Sequence, residues 1–346
     1  MKKPALLALI LASTASLSGA AENGPIASPI AGFIAFEAPG ATDPAKPQLS
    51  LKSTGLVRPV EFEGTTEAVR GKVLIDIRAT WRDGEFGATN GTLATATHYV
   101  EITTGLQAGV MVDIVKTNAA THTLNLGQAL PVNTGAKVGY RIRRHWTLGS
   151  LFGPANDIGF LPGTEKTADK IAIYFGTGFD TFYYSNGDAG TGWRRVGGRN
   201  VDAANYRIYP DDGISISRTG TGPALTFVKG QLKTGRTTVA MLRGMNLLGN
   251  VYPVSMTLAS SGLFTGNPGT GLRPGTAANA DQVLIFNGTT YDTYYYQQRD
   301  VRFGIGWRKT TDPRKDASAT EIPGGVAIGI LRRAAPFNWR VPAHPL

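Results

Sequence analysis

The sequence predicts an all-β fold of β-sandwich-like domains, with an internal tandem duplication in the C-terminal part. Forty-four glycines and twenty prolines punctuate short apolar runs, and no long stripe of helical period interrupts them. Turn signals separate the runs at the spacing of a sandwich: Ser185-Asn186-Gly187-Asp188, Pro210-Asp211-Asp212-Gly213 and Asn287-Gly288. The third observation is a repeat. Ala168-Asp169-Lys170-Ile171-Ala172-Ile173-Tyr174-Phe175 returns 112 positions on as Ala280-Asp281-Gln282-Val283-Leu284-Ile285-Phe286-Asn287. In the same register Asp180-Thr181-Phe182-Tyr183-Tyr184 returns as Asp292-Thr293-Tyr294-Tyr295-Tyr296, and Leu151-Phe152 as Leu263-Phe264. Farther along, the spacing drifts, Gly192-Trp193-Arg194 matching Gly306-Trp307-Arg308, as expected where loops accept insertions. A pattern kept in two copies is more simply a folding requirement than one active site.

Residues 1–20 read as an export signal: Lys2 and Lys3, an apolar run from Ala5 to Ala12, then Ser18-Gly19-Ala20, with cleavage expected after Ala20. That run is too short to cross a bilayer, and no later stretch reaches the roughly 20 apolar residues of a transmembrane helix. The expected location is therefore extracellular or at the cell surface. With no cysteine, disulfides, thiolate catalysis and zinc-cysteine sites are excluded.

The next segment, Ile26 to Phe36, is apolar on both faces of an extended strand, with Ile30, Ile34 and Phe36 on one side and Phe33 and Ala35 on the other. Such a strand wants burial on both sides. Two readings are open: the first central strand of its own domain, or a donor strand that completes the sheet of a neighbouring subunit. Ile26, Ile30, Phe33, Ile34 and Phe36 are the assembly candidates.

Further strands are expected at Val73 to Trp81, His98 to Ile102, Val110 to Val115, Val138 to Ile142, Ile171 to Phe175, Thr181 to Tyr184, Ile214 to Arg218, Leu225 to Val228, Val239 to Leu242, Val283 to Phe286, Thr293 to Tyr296 and Val326 to Leu331. The repeat divides the mature chain into an N-terminal β domain at 21–145, a first repeat at 146–245 and a second at 246–346.

Trp146-Thr147-Leu148-Gly149-Ser150-Leu151-Phe152, the two Ala-Asp-x-Ile/Val strings, Gly-Trp-Arg, and Asn246-Leu247-Leu248-Gly249-Asn250-Val251-Tyr252-Pro253 occur in an order that resembles an uncharacterised family of exported, internally duplicated β-rich proteins of verrucomicrobial-type bacteria. The resemblance spans nearly the whole mature chain and includes Pro29-Ile30-Ala31-Gly32-Phe33-Ile34 at its start; Val251 stands where the family more often has proline. It implies a place on the cell surface and brings no known activity.

Catalytic chemistry is poorly represented. His98, His122, His145 and His344 are scattered without ligand spacing, and no nucleophile elbow, Walker loop or strand-linked Gly-x-Gly-x-x-Gly is present. Asn186, Asp188, Asp211 and Asp212 carry oxygen ligands suited to calcium, but they are also the residues that turns require, and no cofactor is expected. The formal charge of +10 favours anionic partners, with clusters at Arg141/Arg143/Arg144, Arg194/Arg195/Arg199 and Arg332/Arg333. These suit either charged strand edges or contact with an anionic polymer; no motif for specific nucleic-acid reading accompanies them.

Aromatic residues are the richer signal. Tyr183 and Tyr295 face opposite to their strand neighbours, so outward rows with Trp193 and Trp307 would stack on sugar rings, while inward rows would fill a core. The expectation is thus a non-enzymatic structural subunit of an extracellular fibre or surface layer, partnered chiefly by itself. The alternative is a secreted carbohydrate-binding module using Tyr183, Trp193, Tyr295 and Trp307.

Overall fold

The computed structural model describes residues 30–187, 190–198, 200–299 and 302–343. The expected signal sequence and Ile26 lie outside these residues. Among the described residues the fold is almost wholly β, as its punctuation by glycine and proline requires, with one five-residue α-helix and two 3-10 turns. No helix among them is long and apolar enough to cross a membrane.

A first unit begins with β1 (Ala31–Ala38) and β2 (Gln48–Lys52). The chain then leaves it to build a separate antiparallel sheet from β3 (Val60–Thr65), β4 (Ala68–Arg70), β5 (Val73–Ile75), β6 (His98–Ile102), β7 (Met111–Asn118), β8 (Thr123–Leu126) and β9 (Gly139–Arg144), in the order β3-β9-β6-β7-β8-β5-β4. The first unit resumes with β10 (Trp146–Thr147), α1 (Leu148–Phe152), β11 (Lys170–Tyr174), β12 (Phe179–Ser185), β13 (Gly192–Arg195), β14 (Arg207–Ile208), β15 (Ile214–Arg218) and β16 (Ala224–Gln231). A second unit follows: β17 (Thr237–Met241), β18 (Gly244–Gly249), β19 (Met256–Thr257), β20 (Gln282–Phe286), β21 (Tyr291–Gln297), β22 (Gly306–Lys309), β23 (Asp312–Asp316), β24 (Glu321–Ile322), β25 (Ala327–Arg332) and β26 (Phe337–Val341).

The two units carry corresponding elements in the same order. The sheet β13-β12-β11-β15-β2 corresponds to β22-β21-β20-β25-β18, the ribbon β1-β16 to β17-β26, and the bridge β10-β14 to β19-β24. Small polar motifs recur with the strands. Thr147 and Ser150 form a reciprocal capping box at the start of α1, and Thr257 and Ser260 repeat it after β19. The Ala-Asp signature also has a structural cause. Asp169 accepts from the backbone N–H of Leu161, Thr219 and Gly220 and from Arg218, while Asp281 accepts from Arg273 and Arg333 N–H and from Arg332. Each buried carboxylate thus gathers donors from two other chain segments, one of which supplies a buried guanidinium.

The units meet about a local pseudo-twofold. Ser53 N–H donates to Gly325 O at 3.0 Å, and Gly249 N–H donates to Asp211 O at 2.9 Å; by sheet register Ser53 corresponds to Gly249 and Asp211 to Gly325.

This connectivity corrects the expected domain boundaries. Residues 21–145 do not fold as one domain, because β1 and β2 pair with β16 and β15, and the seven-stranded sheet is inserted between β2 and β10. In the second unit only residues 250–255 occupy the corresponding stretch between β18 and β19. The second unit likewise starts at β17 rather than at 246, because β17 pairs with the last strand of that unit.

Each body has its own core. Val100, Ile102, Val112, Ile114, Leu124, Tyr140 and Ile142 centre the inserted sheet. In the first unit the ribbon residues Phe36, Ala38, Ala224 and Val228 pack with Leu148, Leu151 and Phe152 of α1 and with Ile171, Phe182, Trp193 and Ile216 of the sheet. Val239, Met241, Trp339 and Val341 do the same against Val283, Tyr294, Trp307 and Ile330 in the second. The expected strand Val73 to Trp81 stops at Ile75: Asp76 turns inward to accept from Tyr140 Oη at 2.7 Å and from Arg78 N–H at 3.0 Å, which ends the ladder.

Candidate functional site

Among the described residues, the surface that stands out is the ribbon β1-β16. Its register, Ala31 opposite Gln231 through Ala38 opposite Ala224, is unbroken, and β1 has a strand partner on that edge only. Alternation sends Ile34, Phe36 and Ala38 inward, as the sequence sidedness predicts, and Phe36 meets Phe152 edge-on at 5.5 Å. Ile30 is half-buried where its carbonyl accepts from Leu232 N–H. The opposite face is not covered, contrary to the expectation of burial on both sides. Phe33, Leu225 and Phe227 are 47%, 47% and 54% exposed, with Phe33 and Phe227 in edge contact at 5.9 Å. β1 is therefore neither the central strand of an N-terminal domain nor unpaired; it is an edge strand completing the first unit within its own chain.

The corresponding ribbon face of the second unit is different in chemistry and in use. It presents Thr238, Asn338 and Arg340, and Thr238 N–H donates to Gly109 O of the inserted sheet at 3.0 Å. The β1-β16 face is the more apolar of the two, with exposed Glu37 and Lys229 beside its phenylalanines.

The aromatic rows expected to meet sugars are interior. Tyr183, Trp193, Tyr295 and Trp307 are 7%, 1%, 2% and 2% exposed. Trp193 Nε1 donates to Gly153 O at 2.8 Å, and Tyr184 and Tyr296 lie edge-on to Trp193 and Trp307. Tyr183 and Tyr295 do lie on the opposite face, each beside the arginine of Gly-Trp-Arg. On that face Arg308 folds back to donate to Phe303 and Ile305 O, and Arg194 donates to Thr191 O. Alternation alone reports two faces and not whether each is buried.

The basic clusters are likewise engaged. Arg141 and Arg144 pair with Glu63 and Glu61, Arg143 with Glu101, Arg195 with Asp180, and Arg332 with Asp281. Arg199 lies outside the described residues. These cations hold strands and carbonyls together, which leaves little of the expected anion-binding surface.

A cleft of about 520 Å³ opens where the inserted sheet meets both units, lined by Met111, Asp113, Tyr209, Asp211, Asp212 and Asn338 among others. Sequence reasoning missed it, because its walls come from segments brought together only by the insertion. Asp113 is held by Tyr209 Oη at 2.7 Å, His145 Nε2 at 3.0 Å and Arg207 Nη1 at 3.6 Å. Burial pushes its carboxyl up, but these partners outweigh burial and hold it below the usual range. Asp212 accepts from Tyr209 N–H at 2.8 Å, so the Asp-Asp-Gly sequence serves the turn. Burial pushes Asp211 up to about 6, and burial together with the Asp211 charge raises Asp212. His98 is tied to Glu61 at 3.0 Å and His122 to Ala79 O at 3.1 Å. Among the described residues no three histidine, aspartate or glutamate side chains form a metal-binding group.

Comparison with known proteins adds no precedent: no family model, no curated protein and no solved structure matches the chain.

Proposed function

We propose that the chain is an exported, non-enzymatic structural subunit of an extracellular fibre or surface layer, associating with further copies of itself through its N-terminal strand region. The observation that carries this reading is the open face of the β1-β16 ribbon. Phe33 of β1 and Leu225 and Phe227 of β16 expose apolar side chains on one face of the ribbon, with the exposed charges Glu37 and Lys229 beside them. Engagement of Arg141, Arg143, Arg144, Arg195 and Arg332, of His98 and His122, and of Asp113 in the fold supports a structural role. The correspondence of the two units supports the tandem duplication read from the sequence. Polysaccharide recognition by Tyr183, Trp193, Tyr295 and Trp307 draws no support from side chains that are buried.

Sedimentation velocity across a concentration series tests the proposal. The exported chain should show mass-dependent association, and Phe33→Asp with Phe227→Asp should weaken it while leaving the fold intact. A monomer at every concentration contradicts the reading.

A further inference from the structure

We propose that β1 is exchanged between copies, residues 31–38 of one chain lying on β16 of a neighbour in the register seen within one chain. This rests on the structural-subunit reading and names its partner and joint.

Connectivity is the first argument. β1 joins β2 through residues 39–47, which include Pro39, Pro44 and Pro47, whereas β17 joins β18 through residues 242 and 243 alone. The two ribbons correspond, yet only the first has a long link, which folds into a turn closed by Lys46 N–H on Asp43 O at 2.8 Å. A two-residue link is enough for the same strand placement in the second unit, so the longer link is not required to close the first unit on itself.

The contacts of β1 are also separable. It pairs with β16 alone and precedes every other described element, so moving it breaks no other ladder and threads nothing. It brings its own specificity: Phe36 and Ala38 fill the first unit's core, Ala38 O accepts from Arg218 Nη1 at 2.8 Å, and Ala41 N–H donates to Gly220 O at 2.9 Å. Close approach fixes the docked segment as far as Ala41, because a Cβ on Gly40 would lie 2.1 Å from Thr221 O. The crossing therefore falls in residues 42–47, which reach about 20 Å once the Asp43–Lys46 turn opens. A joint this short brings two first units close together, and the uncovered Phe33, Leu225 and Phe227 lie on the outward face of the exchanged ribbon. Cross-chain strand addition of this kind uses the main-chain bonds and core side chain already present within one chain.

The absence of cysteine makes the exchange directly readable. Ala35 and Phe227 are Cα partners across the ribbon and both are exposed. The full-length double variant Ala35→Cys/Phe227→Cys, oxidised in concentrated samples and run without reductant, should give interchain dimers or a ladder. Co-refolded Ala35→Cys and Phe227→Cys single variants should give mixed dimers well above either variant alone. A disulfide formed only within single chains overturns the exchange; so does a double variant that forms no disulfide, or single variants that crosslink alone as well as mixed. Dimers without longer species keep the exchange and overturn the fibre reading. Filaments whose disulfides are all intrachain keep the fibre reading and overturn the exchange.

Discussion

Asp169→Ala isolates what the Ala-Asp signature does. Asp169 is fully buried, its ion-pair partner Arg218 is 2% exposed, and its two oxygens accept four hydrogen bonds of 2.7–3.0 Å. Removing the carboxylate leaves a buried guanidinium with only the Ala38 and Gly222 carbonyls, and strips acceptors from Leu161, Thr219 and Gly220 N–H. Breaking a buried pair on one side costs about 3–5 kcal/mol. Adding Arg218→Leu to the variant should recover part of that loss, with a coupling of about 1–3 kcal/mol. Burial pushes the Asp169 carboxyl up, but the Gly220 and Leu161 N–H groups and Arg218 outweigh it and the net shift is downward. A depressed carboxylate stabilises the fold above its unfolded value of about 3.9, and that contribution fades as pH falls through the folded value. Urea unfolding followed by tryptophan fluorescence, with hydrogen exchange on β11 and β15 to assign the transition, should therefore show a gap between wild type and variant that is full at pH 7 and shrinks below about pH 4. A loss under about 1 kcal/mol, or a gap independent of pH, refutes the reasoning.

Phe36→Ala should cost about 3–5 kcal/mol and Phe33→Ala less than about 0.5 kcal/mol in denaturant titrations, because the two side chains leave β1 on opposite faces. Asp211→Asn should stabilise the chain at pH 8 and change little at pH 4: a carboxyl raised to about 6 contributes its full stability below the unfolded value and loses it as pH rises through 6. Thermal melts at the two pH values check the sign. Lys233→Ala should loosen the inserted sheet, since Lys233 Nζ donates to buried Glu101 and to Arg236 O at 2.8 Å, and limited proteolysis should then cleave near residues 53–59 or 232–236 sooner than in wild type.

The sequence makes most strands legible because each carries its own alternation. His98–Ile102 and Ile214–Arg218 fall where the apolar pattern puts them. A strand with little apolar content, Asp312–Asp316, is defined by its partner and escapes a local reading. The insertion is hidden for a related reason. Nothing within Ala31–Ala38 says that its partner lies nearly two hundred residues away on Ala224–Gln231. Covering is nonlocal as well: Tyr183 and Phe33 both lie on the second face of a strand, yet one is 7% and the other 47% exposed. The repeated aromatic and arginine motifs are therefore informative about folding, whereas the outward face of β1 has no counterpart in the second unit.

Negative-stain electron microscopy of the purified mature chain, beside material sheared from the cells that make it, tests the central proposal most directly. The account predicts ordered fibres or sheets in the sheared material, and the same repeat from the purified chain at high concentration. Uniform monomers in both samples would contradict it.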